Sequence, residues 1–332
     1  MKNVFLLCIM YVLSSAAFGC TTFVLKNDSS LLFGRNLDWY SDDGVAVVNK
    51  RNVQKEALVF PPEQSTTWTS KYGSVTFNQF GKEFPFGGMN ERGLVVELMV
   101  VPGQFPALDN RTAVNELQWV QYQLDNCASI EEVIATDSKI RIQMISQNLH
   151  YLVCDSSGNA VVIEFTLSGM KVYRDEKLPI VVLENDPYQT SLKKRKLKQE
   201  CRFLTASNML SVLSPKTNTK ESIRYSFDVL DKVKLDGSWS MVYDIKAKSI
   251  HFITGSNPIR RLIQMNSFDF SCQSASLLYD LARRDAGNVL TKFISYSRQL
   301  NVLKFKAGLK SNGIRLPSKI LQRFLNYTSR CK

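Results

Sequence analysis

Histidine is scarce in this 332-residue chain: there are two, His150 and His251, each inside a strand-like run. A zinc site built from several histidines is nearly excluded by that count, and a Ser–His–Asp or Cys–His site has few candidates. There is no P-loop and no GxGxxG, so nucleotide use has no support. The cysteines form no CxxC and no Cys/His metal spacing, and no metal or cofactor is expected. Internal repeats and low-complexity linkers are lacking too. Acids almost vanish from 281–332, where twelve Lys/Arg face only Asp285. That segment and Lys2 carry the formal charge of +12, so the rest is close to neutral and the basic character says little about a main active site. No nucleic-acid partner is expected. The tail could touch an anionic membrane surface, or be helices packed on the body with a solvated basic face.

What is present is an ordinary globular composition, 44% hydrophobic and 22% charged, in a chain long enough for one large domain with an extension or for two domains. The start, MKNVFLLCIMYVLSSAAFG, has one early Lys, an apolar run from Val4 to Leu13, and small residues Ala17 and Gly19 where signal peptidase prefers them. The run falls short of the about 20 residues needed for a comfortable span, and no other segment is long and apolar enough. Residues 1–19 are therefore expected to be a removable signal peptide, with a secreted or periplasmic destination. The rival is a lipoprotein signal, in which Cys20 would be only the attachment point of a non-catalytic, envelope-binding protein.

Cutting at Gly19–Cys20 leaves a cysteine with both a thiol and a free α-amine. An α-amine, ordinarily titrating at about 7.7–8.0, can take the thiol proton and later return one to a leaving nitrogen, so one residue supplies nucleophile and base. Of the other cysteines, Cys127 and Cys154 fit buried thiols, while Cys272 and Cys331 flank the tail and could tether it.

Along the chain, Cys20–Leu25 and Leu31–Arg35 are expected as two strands around the turn NDSS. VAVVN continues the β pattern. Gly87-Gly88 and Asn90–Gly93 are expected as turns around a buried strand from Leu94 to Val101. A helix is expected over Ala113–Cys127, and SIEEVIAT opens another behind a Ser cap. NLHYLVCDSSGNAVVIEF and residues 237–255 have the pattern of hairpins. The basic run from Ser191 begins a helix carrying Arg202 to Leu213, and beyond about Ser271 the pattern turns helical. The order of sheets and helices favours antiparallel sheets with helices outside.

Around Cys20 the residue types suited to amide cleavage are few. Arg35 near the thiol would stabilise thiolate, and Asp38 could hold the α-amine; taken alone they would be a surface ion pair. Asn185, at a strand end before Asp-Pro, could donate to an oxyanion, although such an Asn is ordinarily a turn residue. Arg202 alone would be a solvated charge.

The set CTTFVLKNDSSLLFGRNLDW, GGMNERGLVVE, HYLVCDSSGNAVVIEF, LENDP, CRF and WSMVYDIKAKSIHF resembles, in collinear order over about residues 20–270, the choloylglycine hydrolase/penicillin V acylase family of N-terminal-nucleophile hydrolases. The resemblance implies an α+β fold, a four-layer αββα sandwich of two antiparallel sheets, over residues 20–274. A basic, mainly helical extension, 275–332, would follow. It implies hydrolysis of linear amides of N-acyl substrates such as bile-salt conjugates, penicillin V or N-acyl homoserine lactones. By motif, Cys20 matches the nucleophile, Arg35 and Asp38 the paired Arg and Asp, Asn185 the oxyanion Asn, and Arg202 the late Arg. The second oxyanion donor falls at the Val100 backbone N–H. Trp39, Phe84, Phe86 and Met99 lie in segments expected to rim an apolar pocket, or else simply pack the core. Val100 stands where bile-salt hydrolases carry Asn and penicillin acylases an aromatic, which leaves substrate choice open. The interval from Asn185 to Arg202 is shorter than in the bile-salt enzymes, where an inserted loop helps build a tetramer; no tetramer is expected here.

Overall fold

The computed structural model describes residues 19–39, 41–235 and 239–331. The expected signal peptide, apart from Gly19, lies outside the described residues, as do the first two residues of the 237–255 hairpin.

Two sheets form the body. One runs from edge to edge through Val182–Leu183, Thr21–Lys26, Leu31–Leu37, Trp239–Asp244, Ser249–Thr254, Asn257–Gln264 and Gly287–Asn288. The other runs through Gly169–Tyr173, Ala160–Thr166, Leu149–Cys154, Val95–Val100, Gly87–Asn90, Ser74–Asn78, Val45–Asn49, Leu277–Asp280 and Ile294–Ser295. Neighbours are antiparallel except Asn257–Gln264 with Gly287–Asn288. The inner faces meet in an aromatic core. Phe77 of the second sheet packs on Trp239, Tyr243 and Phe252 of the first, with ring centroids 6.5, 6.4 and 5.6 Å away.

Helices cover both outer faces. Asn36 Nδ2 donates to the Leu230 carbonyl at 2.7 Å, fastening helix Thr219–Val233 to the first sheet. On the second sheet, Asn90 Nδ2 donates to the carbonyls of Leu124 and Cys127 at the end of helix Glu116–Asn126. The layers are therefore helix, sheet, sheet, helix.

The hairpins form where local turn chemistry prescribes them. Asn27 Oδ1 accepts from the backbone N–H groups of Ser29 and Ser30 and closes the first. Asp155 Oδ1 does the same for Ser157 and Asn159, with Gly158 at φ +82°.

Elsewhere tertiary packing overrides local signals. Gly87 and Gly88, expected as a turn, lie in a strand. A Cβ on Gly87 would fall 2.0 Å from Glu97 Oε2, so glycine makes room there for a buried carboxylate. The helix expected from Ala113 begins at Glu116, because Thr112–Asn115 pairs with Ile140–Gln143 and Asn115 caps the N–H groups of Leu117 and Gln118. The basic run divides into helices Tyr188–Lys196 and Arg202–Ser211, interrupted where Lys198 takes φ 53°. The segment after Ser271 first adds strands to both sheets and only then forms helices Arg298–Ser311 and Ser318–Leu325. Arg330–Cys331 pairs with Val53–Glu56, and a disulfide joins Cys272 to Cys331, a pairing the sequence left open. Cys20, Cys127, Cys154 and Cys201 are free thiols.

Candidate active site

Cys20 immediately precedes the strand Thr21–Lys26 and is 1% exposed, yet it lines a cavity of about 120 Å³. Its Sγ lies 3.9 Å from the Asp38 carbonyl. The Asp38 carboxylate is close to the preceding residue: a Cβ on Gly19 would meet Asp38 Oδ2 at 2.4 Å and Leu235 Cγ at 2.6 Å. Asp38 thus stands at the Gly19–Cys20 link, and Arg35 is near enough to interact with Cys20.

Strand alternation aims Arg35. Along Leu31–Leu37, Asn36 points outward to the helix layer, while Arg35 points into the gap between the sheets and is fully buried. There its Nε donates to Glu97 Oε2 at 3.0 Å, and Nη1 donates to the Asn36 carbonyl. Burial alone would lower the Arg35 pKa, but Cys20 and Glu97 outweigh it and hold the pKa above its ordinary value. Glu97 is itself buried, and burial pushes its carboxyl up to about 7 against the opposing pull of Arg35 and the donated Tyr243 hydroxyl. Glu97 and Tyr243 are additions to the expected site.

On the other side, Asn185 Nδ2 donates to the Val100 carbonyl at 2.8 Å, and Arg202 Nη2 donates to Asn185 Oδ1 at 3.0 Å. Arg202 therefore fixes which way the Asn185 amide faces. Leu98 and Val100 line the cavity with Cys20. Met99, expected at the rim, does not line it: lying between those two on its strand, it is turned to the opposite sheet, where Thr22 Oγ1 contacts its Sδ at 3.6 Å. Trp39, Phe84 and Phe86 do line the cavity.

The wall is more aromatic than expected. Ring contacts run from Trp39 to Phe86, Phe80, Phe305, Phe324 and Phe84, at centroid distances of 5.0–6.3 Å. Pairs of this kind add roughly 0.5–1.5 kcal/mol each beyond simple burial. Phe305 and Phe324 come from the basic tail, so the tail does bear on the site. Its charge concealed this, because the apolar side chains sit among the lysines and arginines. The two histidines lie elsewhere: neither lines the cavity, and His150 is buried against Glu164.

Residues 20–199 match the family of linear amide C–N hydrolases described as the choloylglycine hydrolase family. The chain is 26% identical over 203 residues to a penicillin V acylase of Pectobacterium atrosepticum, covering 52% of this chain and 51% of that protein. It is 27% identical over 183 residues to a bile salt hydrolase/transferase of Clostridium perfringens, covering 51% and 54%. The chain thus spans about half the length of the curated relatives it matches. In three dimensions it superposes on penicillin V acylase from Agrobacterium tumefaciens with a TM-score of 0.74 at 23% identity, over 84% of this chain and 98% of that one. A conjugated bile acid hydrolase variant from Clostridium perfringens gives 0.66 at 17% identity, over 80% and 98%.

Proposed function

The chain belongs to the choloylglycine hydrolase family of linear amide C–N hydrolases, and from that membership we propose that it is an exported amidase with Cys20 as its nucleophile. The observation that carries this reading is the convergence of three groups at one cavity. Cys20 opens onto it, Arg35 interacts with Cys20, and Val100, whose carbonyl accepts from Asn185 Nδ2, stands at its wall.

Removal of the residues before Cys20 frees its α-amine. The thiol gives its proton to that amine, and sulfur attacks the carbonyl carbon of an N-acyl substrate. The Asn185 amide and the Val100 N–H hold the oxyanion as the C–N bond breaks, and the amine returns the proton to the departing nitrogen. Water then cleaves the thioester and releases the acid. Arg35 favours the negative sulfur, Asp38 holds the α-amine, and Arg202 orients Asn185. The substrate classes in play are bile-acid conjugates, phenoxyacetyl penicillins and fatty N-acyl amides such as acyl homoserine lactones, met outside the cell or in the periplasm.

The test is hydrolysis of a taurine-conjugated bile acid, penicillin V and an N-acyl homoserine lactone by purified protein beside its Cys20→Ser variant. Turnover of at least one, reduced at least ~100-fold by the substitution, is expected, since a hydroxyl is a far poorer nucleophile at neutral pH. Intact mass should show a free amino-terminal cysteine. A diacylglyceryl mass, or equal rates for the two proteins, would sink the reading.

A further inference from the structure

The cavity beside Cys20 is closed by the end of the chain. Phe305 and Leu309 of helix Arg298–Ser311, Ile314 and Leu316 of the link, and Phe324 of helix Ser318–Leu325 all line it. We propose that this segment is a fixed roof that selects the acyl half of the substrate, favouring unbranched apolar chains over hydroxylated ones. The proposal rests on the amidase reading above and deepens it.

Several independent ties hold the roof down. The Asn301 side chain accepts from the Lys82 backbone N–H at 2.7 Å, and Arg323 donates to the Val59 carbonyl at 2.7 Å. Lys304 pairs with Asp280, Ser329 donates to buried Glu83 at 2.8 Å, and the disulfide pins the last strand. Gly308 lets the first helix touch the body, since a Cβ there would lie 2.1 Å from the Gln79 carbonyl. The roof is therefore part of the pocket's shape and not a loose tail lying over it.

The lining chemistry argues for the acyl class. Of its polar side chains Asn115, Glu116 and Ser146 are committed within the protein, which leaves Gln147 as the amide facing a ligand. Asn115 caps its helix and also donates to the Leu58 carbonyl, and Glu116 accepts from the backbone N–H groups of Ile145 and Ser146 and from the Ser146 hydroxyl. A hydroxyl carried in on the acyl group would lose water and find little to replace it, whereas methylene groups would meet aromatic and aliphatic walls.

The experiment compares kcat/KM for acetyl, hexanoyl and decanoyl p-nitroanilides in the full, disulfide-intact protein. Decanoyl should exceed acetyl in the wild type. Leu309→Trp should lower the decanoyl-to-acetyl ratio at least ~10-fold, the scale on which apolar pockets discriminate chain size, and Ile314→Ala should shift the preference toward longer chains. Ratios that stay constant in both variants, whatever happens to the absolute rates, overturn the roof. Should the wild type cleave no amide at all, the amidase reading fails on its own, and calorimetric binding of decanoate decides the roof. Binding lost in Leu309→Trp supports it; no binding to the wild type overturns it.

Discussion

Glu97 shows what one residue adds to the candidate site. Its carboxyl touches both Arg35 and Tyr243, and burial raises its pKa from the ordinary 4.5 to about 7. Because the folded protein holds this proton more tightly than the unfolded chain does, the associated stability is fully present below pH 4.5. It is lost as pH rises toward 7. Glu97→Gln, which does not titrate, should therefore gain on the wild type between pH 5 and 8, on the order of 2–3 kcal/mol, in denaturant unfolding. It should also remove a step near pH 7 from the kcat/KM profile. A stability gap that does not change with pH would refute the first expectation. The nearness of Cys20, Arg35 and Asp38 was legible because they share one short segment, in which the strand period of Leu31–Leu37 aims Arg35. Glu97 left a fainter sign, a lone acid inside the run LVVELMVV, where a buried charge demands a partner; the partner itself lies on another sheet.

Among elements, those closed by their own turn residues were the legible ones. The hairpins around Asn27 and Asp155 stand where side chains bond the next few backbone groups. Helix Thr219–Val233 was missed although its signals were present: Asn218 caps Glu221 N–H, and Ile223, Ser226, Leu230 and Val233 make one buried face. Gly87 misled, because a glycine pair signals a turn until the side chain it accommodates is known. Gly308 is a similar case inside helix Arg298–Ser311. Replacing an interior helical glycine by alanine ordinarily stabilises by up to about 1 kcal/mol. Here the added carbon would collide with the Gln79 carbonyl, so Gly308→Ala should destabilise by about 1–3 kcal/mol. A thermal melt that moves upward would contradict the packing described.

At the scale of the whole molecule, the family motifs pointed to the four layers, because the ordered short segments along residues 20–270 fall on strands of the two sheets, apart from CRF, which opens helix Arg202–Ser211. The closing segment was not legible. Its contacts with Phe80 and Phe84 join residues far apart in sequence, and no local period encodes which face meets them. The Cys272–Cys331 bond spans a separation of 59 residues. On chain-entropy grounds its removal should cost about 4 kcal/mol. The double variant Cys272→Ser/Cys331→Ser should melt several degrees lower than the wild type, and reductant should lower only the wild-type melting point. Identical melting points would show that the tail is held by its other contacts alone.

The groups proposed to break the amide bond lie between Cys20 and Arg202, and the segment proposed to cap the acyl chain follows them, beginning near residue 298. A single genetic crossover upstream of that helix would carry the entire cap as one cassette. On that proposal, a protein of this design would change its diet in one recombination event, with the residues from Cys20 to Arg202 inherited intact.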